Sequence, residues 1–222
     1  MNAATEYDAV VFDNDGVLVE LTEMDLLRRA ARRAFADHGV ADPPEAFVDH
    51  AANGDLEALS AVEESLNISL AEYWASREDH AATHQCEAVE TGEKPLYEDV
   101  AELRRLDATL AVVSNNQHDT VAFIVDHHGL DDLFEHVAGR QPTVDGARRR
   151  KPEPHYLDRA LDELGTTDAL YVGDSPKDIV AADRAGVDSA FLRRGHRRDA
   201  ALDREPTHEF ASLTGLVDAL TD

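Results

Sequence analysis

Val10-Val11-Phe12-Asp13-Asn14-Asp15-Gly16-Val17-Leu18-Val19-Glu20 is the stretch from which the fold is read. The apolar run Val10–Phe12 has the character of a buried strand, and it ends abruptly at two carboxylates one residue apart. On an extended chain, residues i and i+2 point to the same side, so Asp13 and Asp15 converge just past the strand's C-terminal end. Open α/β sheets place their ligands at that edge. Gly16 lets the chain turn with no side chain in the way. Carboxylates this close repel, which marks a metal, a shared proton or both, although Asp-Gly pairs also serve as turns and calcium-loop fragments.

Outward from this stretch, Thr22 to His38 is expected to be a helix, with Thr22 as N-cap and Gly39 as stop. Its apolar side carries Leu26, Leu27, Ala30, Ala34 and Phe35 at helical spacing. Further helices are expected within 44–50, 55–66 and 69–89, and no strand between 21 and 91. After Gly92-Glu93-Lys94-Pro95 the pattern changes. Strands at 109–113, 135–138, 169–172 and 189–192 alternate with helices at 119–128, 154–164, 179–185 and 213–220. Such alternation predicts an α/β fold with a mainly parallel sheet and helices on both faces. Residues 20–92 then form an all-helical insert after the first strand, between core segments 1–19 and 93–222.

Charge narrows the function. Asp and Glu total 46 against 21 Lys and Arg, a formal net charge of -25. That balance opposes nucleic acid and anionic membranes as partners. It also predicts a halophile with a salty cytoplasm, because about 1 M salt shrinks the Debye length to roughly 3 Å and screens the self-repulsion. With 43% hydrophobic residues in periodic blocks, the chain is expected to fold rather than stay disordered. The single cysteine, Cys86, fits a reducing compartment, and the lack of a signal pattern or long apolar run predicts a cytoplasmic protein. Nothing in the sequence indicates an oligomeric state.

Three further strand ends carry chemistry in order: Ser114-Asn115-Asn116, Lys151-Pro152-Glu153-Pro154, and Gly173-Asp174-Ser175-Pro176-Lys177-Asp178. Taken singly, Ser114 can open a turn, Lys151 can be a solvated charge and Asp174 can cap a helix. Together with Asp13-x-Asp15-Gly16-Val17, the set resembles the four motifs of the haloacid dehalogenase (HAD) superfamily over essentially the whole chain. Only Lys94, Lys151 and Lys177 are lysines, so finding one in the Lys-Pro context is informative.

The resemblance implies a Rossmann-like core with a helical cap at 20–92, and it assigns roles. Asp13 is the nucleophile that forms an aspartyl-phosphate, and Asp15 the general acid and base, expected to be held protonated by burial and its acidic neighbours. Ser114, Asn115 and Lys151 bind the transferred phosphate. Mg²⁺ is held by Asp13, Asp174 and the Asp15 backbone carbonyl, with Asp178 orienting the metal or Lys151. Counting Asp13, Asp15, Asp174 and Asp178 against Lys151 alone leaves a net charge of -3, which a phosphate dianion meets unfavourably without Mg²⁺. Asp15 argues against the dehalogenase branch. The absence of any lysine between Asp13 and Lys94 argues against the phosphonate-cleaving branch.

A small phosphorylated metabolite is therefore the expected partner, and the phosphoglycolate phosphatases are the nearest branch. A phosphosugar mutase and a non-catalytic phospho-ligand binder are the alternatives. Arg28, Arg29, Arg32, Arg33, Arg77 and the insert's histidines are candidate substrate readers, though most of these arginines are expected to pair with acidic surface groups. The arginines at 148–150, 193–194 and 197–198 are read as local charge balance or phosphate attraction near the site, and the histidines as structural.

Overall fold

Alternate residues of each central strand feed opposite faces of one sheet. Val10 and Phe12 of β1 (Ala9–Phe12) pack with Val121, Val125, Leu213 and Leu216 on one side, and Ala9 and Val11 pack with Tyr156, Leu157 and Ala160 on the other. A strand covered on both faces must be apolar throughout, which is why β1 reads as an uninterrupted run. The fold is known from a computed structural model that describes residues 7–221; residues 1–6 of the expected first core segment and residue 222 lie outside that range.

Five more strands join β1: β2 (Thr109–Gln117), β3 (His136–Arg140), β4 (Ala169–Gly173), β5 (Asp188–Leu192) and β6 (His208–Phe210). All pair in parallel, in the order β3-β2-β1-β4-β5-β6. Strand order reverses between β1 and β4, and a crevice forms at such a switch point. The register sets Phe12 beside Val112 and Val172. Asp13 and Asp174 therefore leave the sheet along one edge, and Ser114 lies along the same edge within β2, which runs on to Gln117 beyond the expected end at 113.

Helices α5 (His118–His127), α7 (His155–Leu164), α8 (Pro176–Ala185) and α9 (Leu213–Thr221) cover the sheet, with α6 (Val144–Arg148) a single short turn. Between β1 and β2 come α1 (Met24–Asp37), α2 (Glu45–Asn53), α3 (Leu56–Leu66) and α4 (Leu70–Glu90). These four share a separate apolar cluster around Phe35, Val48, Leu59, Tyr73 and Trp74. No helix among the described residues is long and apolar enough to cross a membrane.

Several elements differ from expectation. Helix α1 starts at Met24 with Glu23 at its N-cap, because the Thr22 hydroxyl is engaged by Asp15 and Gln85 instead. Helix α8 starts three residues early: Ser175 and Asp178 form a capping box, and Pro176 suits a first turn that needs no amide donor. Strand β6 was not expected at all. It is short, lies at the sheet edge and offers no apolar run to betray it.

Candidate active site

Asp13 follows β1 and is 8% exposed, with its Oδ1 accepting from the Asn14 amide at 2.8 Å. Lys151 reaches it from the segment before α7, its Nζ 3.0 Å from Asp13 and 2.7 Å from Asp178. The same ammonium contacts the Tyr171 hydroxyl at 2.5 Å and the Val113 carbonyl at 3.3 Å. It is thus fully enclosed. Asp178 also accepts from the Ser175 amide at 2.9 Å, so the capping box of α8 fixes the carboxylate that fixes the lysine. Asn115 clasps the Lys151 backbone from both directions, donating to its carbonyl at 3.1 Å and accepting from its amide at 2.7 Å. Ser114 is 2% exposed, and its hydroxyl accepts from the Asn116 amide at 3.1 Å.

Asp13, Asp174 and Asp178 bring carboxylate oxygens within 4.8 Å of one another. Burial pushes the Asp13 carboxyl up to about 6, with Lys151 pulling the other way and Asp178 and Asp15 adding repulsion. Burial also raises Asp174 and Asp178, each against a cationic partner. Burial opposes the charge on Lys151, but Asp13 and Asp178 outweigh it and hold the ammonium well above its ordinary range. Three buried acids that resist joint ionisation form an all-oxygen donor set of the kind a hard divalent cation takes. The backbone leaves room for it. Gly16 has φ +83°, and a Cβ there would meet Asp174 Oδ2 at 2.6 Å. Gly16→Ala is therefore expected to displace Asp174 and weaken divalent-metal binding by about 10- to 100-fold, as read by titration calorimetry. Unchanged affinity would remove Asp174 from the donor set.

Asp15 departs from expectation. Its side chain lies outside that cluster and faces Lys94, which pairs with Oδ1 and reaches the Thr22 hydroxyl at 2.5 Å. Thr22 at 2.9 Å, Asn116 Nδ2 at 3.1 Å and Asn14 Nδ2 at 3.2 Å complete the shell. Burial alone would raise the carboxyl, but Lys94 and these donors outweigh it and hold Asp15 below its ordinary value. Asp15 is ionised here, not protonated. Lys94 is 2% exposed and sits where the helical segment returns to the sheet. Its neighbour Pro95 and its rarity in a chain of three lysines were the available signals.

Two more contacts reach Asp174, one from a histidine read as structural and one from an arginine read as local charge balance near the site. His196 Nε2 lies 2.7 Å from Asp174 Oδ2, and Arg197 Nε lies 3.1 Å from the same oxygen. His196 is thus not merely structural, and Arg197 balances charge inside the site. With Lys94 and Arg197 beside Lys151, three cations face the four carboxylates, leaving -1 rather than -3. Of the candidate readers, Arg28 pairs with Asp25 and Asp49, and Arg32 with Glu45. Arg77 is buried against Glu78.

Carboxylates, a buried lysine and a hydroxyl at the switch point of a parallel sheet define a phosphoryl-transfer hydrolase site. The chain belongs to the haloacid dehalogenase-like hydrolases, which it matches over residues 7–186, and it is a phosphatase. It is 30% identical to the phosphoglycolate phosphatase of Aliivibrio fischeri over 231 residues, covering 94% of this chain and 95% of that one. It is 31% identical to the phosphoglycolate phosphatase of Rhodobacter capsulatus over 122 residues, about half of each chain (54% and 54%). Crystalline CbbY from Rhodobacter sphaeroides, in complex with phosphate, shares the fold: TM-score 0.68 at 22% identity, covering 95% of this chain and 96% of that one.

Proposed function

We propose that the protein hydrolyses a small phosphate monoester through an aspartyl-phosphate on Asp13, with Mg²⁺ bound by Asp13, Asp174 and Asp178. The observation that carries it is Asp13, buried at the end of β1, between Lys151 at 3.0 Å and the Asp174–Asp178 carboxylates, with Asp15 two residues on. A hard divalent cation there supplies positive charge to the phosphoryl oxygens and lets the acids ionise together. Lys151 keeps Asp13 ionised as a nucleophile. Ser114 and Asn115, at the end of β2, hold the phosphoryl group in line for attack.

Asp13 Oδ attacks phosphorus as the bond to the leaving oxygen breaks, and Asp15 delivers a proton to that oxygen. Water then attacks the aspartyl-phosphate, gives its proton to Asp15, and releases phosphate. Asp15 ionised against Lys94 is already in the form that accepts a proton from water. The proton for the first half-reaction comes from the Lys94 ammonium in contact with it, and the proton that Asp15 takes from water in the second returns to Lys94. Helices α1–α4 act as a cap over this edge, which Gln85 of α4 meets at Asn116, its Oε1 accepting at 2.6 Å. Support for 2-phosphoglycolate as substrate comes from the relatives of that name.

The test is phosphate release from 2-phosphoglycolate, sugar phosphates and nucleotides in high-KCl buffer, each with Mg²⁺ and with EDTA. Release that needs Mg²⁺, with 2-phosphoglycolate ahead, is expected. Folded protein that releases phosphate from none of them would overturn the proposal.

A further inference from the structure

Beside Asp15 and Asn115 lies a cavity of about 240 Å³ whose wall also contains Arg77 of α4 and Arg140 of β3. Both arginines are only 5% exposed. They share one acid, the fully buried Glu78. Arg77 Nη1 is 2.7 Å from its Oε1, while Arg140 reaches Oε2 through Nη1 at 2.6 Å and Oε1 through Nη2 at 2.9 Å. The Trp74 ring stacks under both guanidiniums, at 5.2 and 5.8 Å.

This pair carries one positive charge more than Glu78 cancels. Arg150, held to the Gly54 carbonyl at 2.6 Å, adds another nearby; burial first, then Arg140 and Arg77, push its guanidinium below its ordinary value. Asp55, the other acid acting on Arg150, is partly solvated and is itself paired with His50. Arg77 Nε is buried with no hydrogen-bond partner among the described residues. Buried cations are ordinarily paired, and a chain of net charge -25 has no shortage of acids to supply. The missing anion therefore points to a ligand. Arg140 Nε also donates to the Asn115 carbonyl at 2.7 Å, linking this corner to the last residues of β2 beside Ser114.

We propose that Arg77 and Arg140 bind a carboxylate on the leaving part of the substrate, making them specificity-determining residues and making phospho-carboxylates the substrate class. The proposal rests on the phosphatase function above. The planar fork of arginine matches a carboxylate through two parallel hydrogen bonds, and the small cavity suits a leaving group of few carbons. A substrate whose leaving group lacks that charge leaves the surplus positive charge of the pair unbalanced, and sites built on such contacts discriminate strongly.

The experiment compares kcat/KM for 2-phosphoglycolate with that for 2-hydroxyethyl phosphate, which replaces the carboxylate by a neutral alcohol. Wild-type protein is expected to prefer the acid by about 100-fold or more. Arg77→Met keeps the Arg140–Glu78 pair balanced, and it is expected to cut that preference at least about tenfold, mainly through KM for 2-phosphoglycolate. The wild-type ratio needs no variant, so it decides the substrate class even if Arg77→Met melts early. Equal turnover of both esters would overturn the inference and leave the phosphatase standing. A preference that survives in folded Arg77→Met would overturn the assignment to these residues. Hydrolysis of neither ester would overturn the phosphatase function, and this inference with it.

Discussion

Asp13→Asn is expected to release phosphate on the order of 10⁴-fold more slowly than wild type, or not at all, while melting at a higher temperature. An amide cannot form the aspartyl-phosphate, so every later step is lost. The stability gain follows from burial. The folded state holds the Asp13 proton up to about pH 6, whereas the unfolded chain releases it near 3.8. The folded state therefore binds more protons across that window and loses stability as pH rises through it, keeping the full penalty above about 6. At about 1.4 kcal/mol per pH unit, the penalty is bounded near 3 kcal/mol. Asparagine has no proton to lose. In EDTA at pH 7.5 the variant should melt above wild type, and the gap should close near pH 4 or when Mg²⁺ saturates the wild type. A variant that melts lower in EDTA would mean that the Lys151–Asp13 attraction outweighs burial.

Lys151→Met is expected to be the most damaging single change in the molecule. Its ammonium is enclosed by Asp13, Asp178, Tyr171 and Val113, and removing it leaves two buried carboxylates with no cation between them. Breaking a buried pair this way costs about 3–5 kcal/mol, and activity goes with it because Asp13 then protonates near neutral pH. Urea unfolding in EDTA should show a midpoint well below wild type. Adding Asp178→Asn to Lys151→Met removes one stranded charge, so part of the stability should return with none of the turnover. A single variant as stable as wild type would show that water reaches this corner and solvates the acids.

How much of this was legible in the sequence varies by element. β1, β2, β4 and β5 announced themselves because the stretches covered on both faces must be apolar throughout, as in 110–113 of β2 and 190–192 of β5. β6 stayed hidden because an edge strand of three residues has no such requirement. Asp13, Ser114 and Asp174 stood out because each sits at or near a strand end, and Asp178 because it follows Asp174 in one motif. Lys151 stood out because it precedes Pro152, although the fold sets it in the segment between α6 and α7 rather than at a strand end. His196 carried no local mark, and Lys94 only a neighbouring proline and its rarity, because their partners Asp174 and Asp15 lie 22 and 79 residues away in the chain. Arg77 was noticed among the arginines of its segment. Arg140, its partner across Glu78, was not, because a pairing between α4 and β3 exists only after folding.

By itself the sequence determined that a parallel α/β sheet carries a row of acids and one lysine at its C-terminal edge, since periodicity and strand-end residues are local properties. Only the tertiary structure decided the charge state of that edge. Ionisation depends on which cations are brought within a few ångströms and how far water is excluded, and both are set by chain segments remote in sequence. That is why Asp15, expected protonated from its acidic neighbours, is ionised against a lysine from the far end of the helical segment.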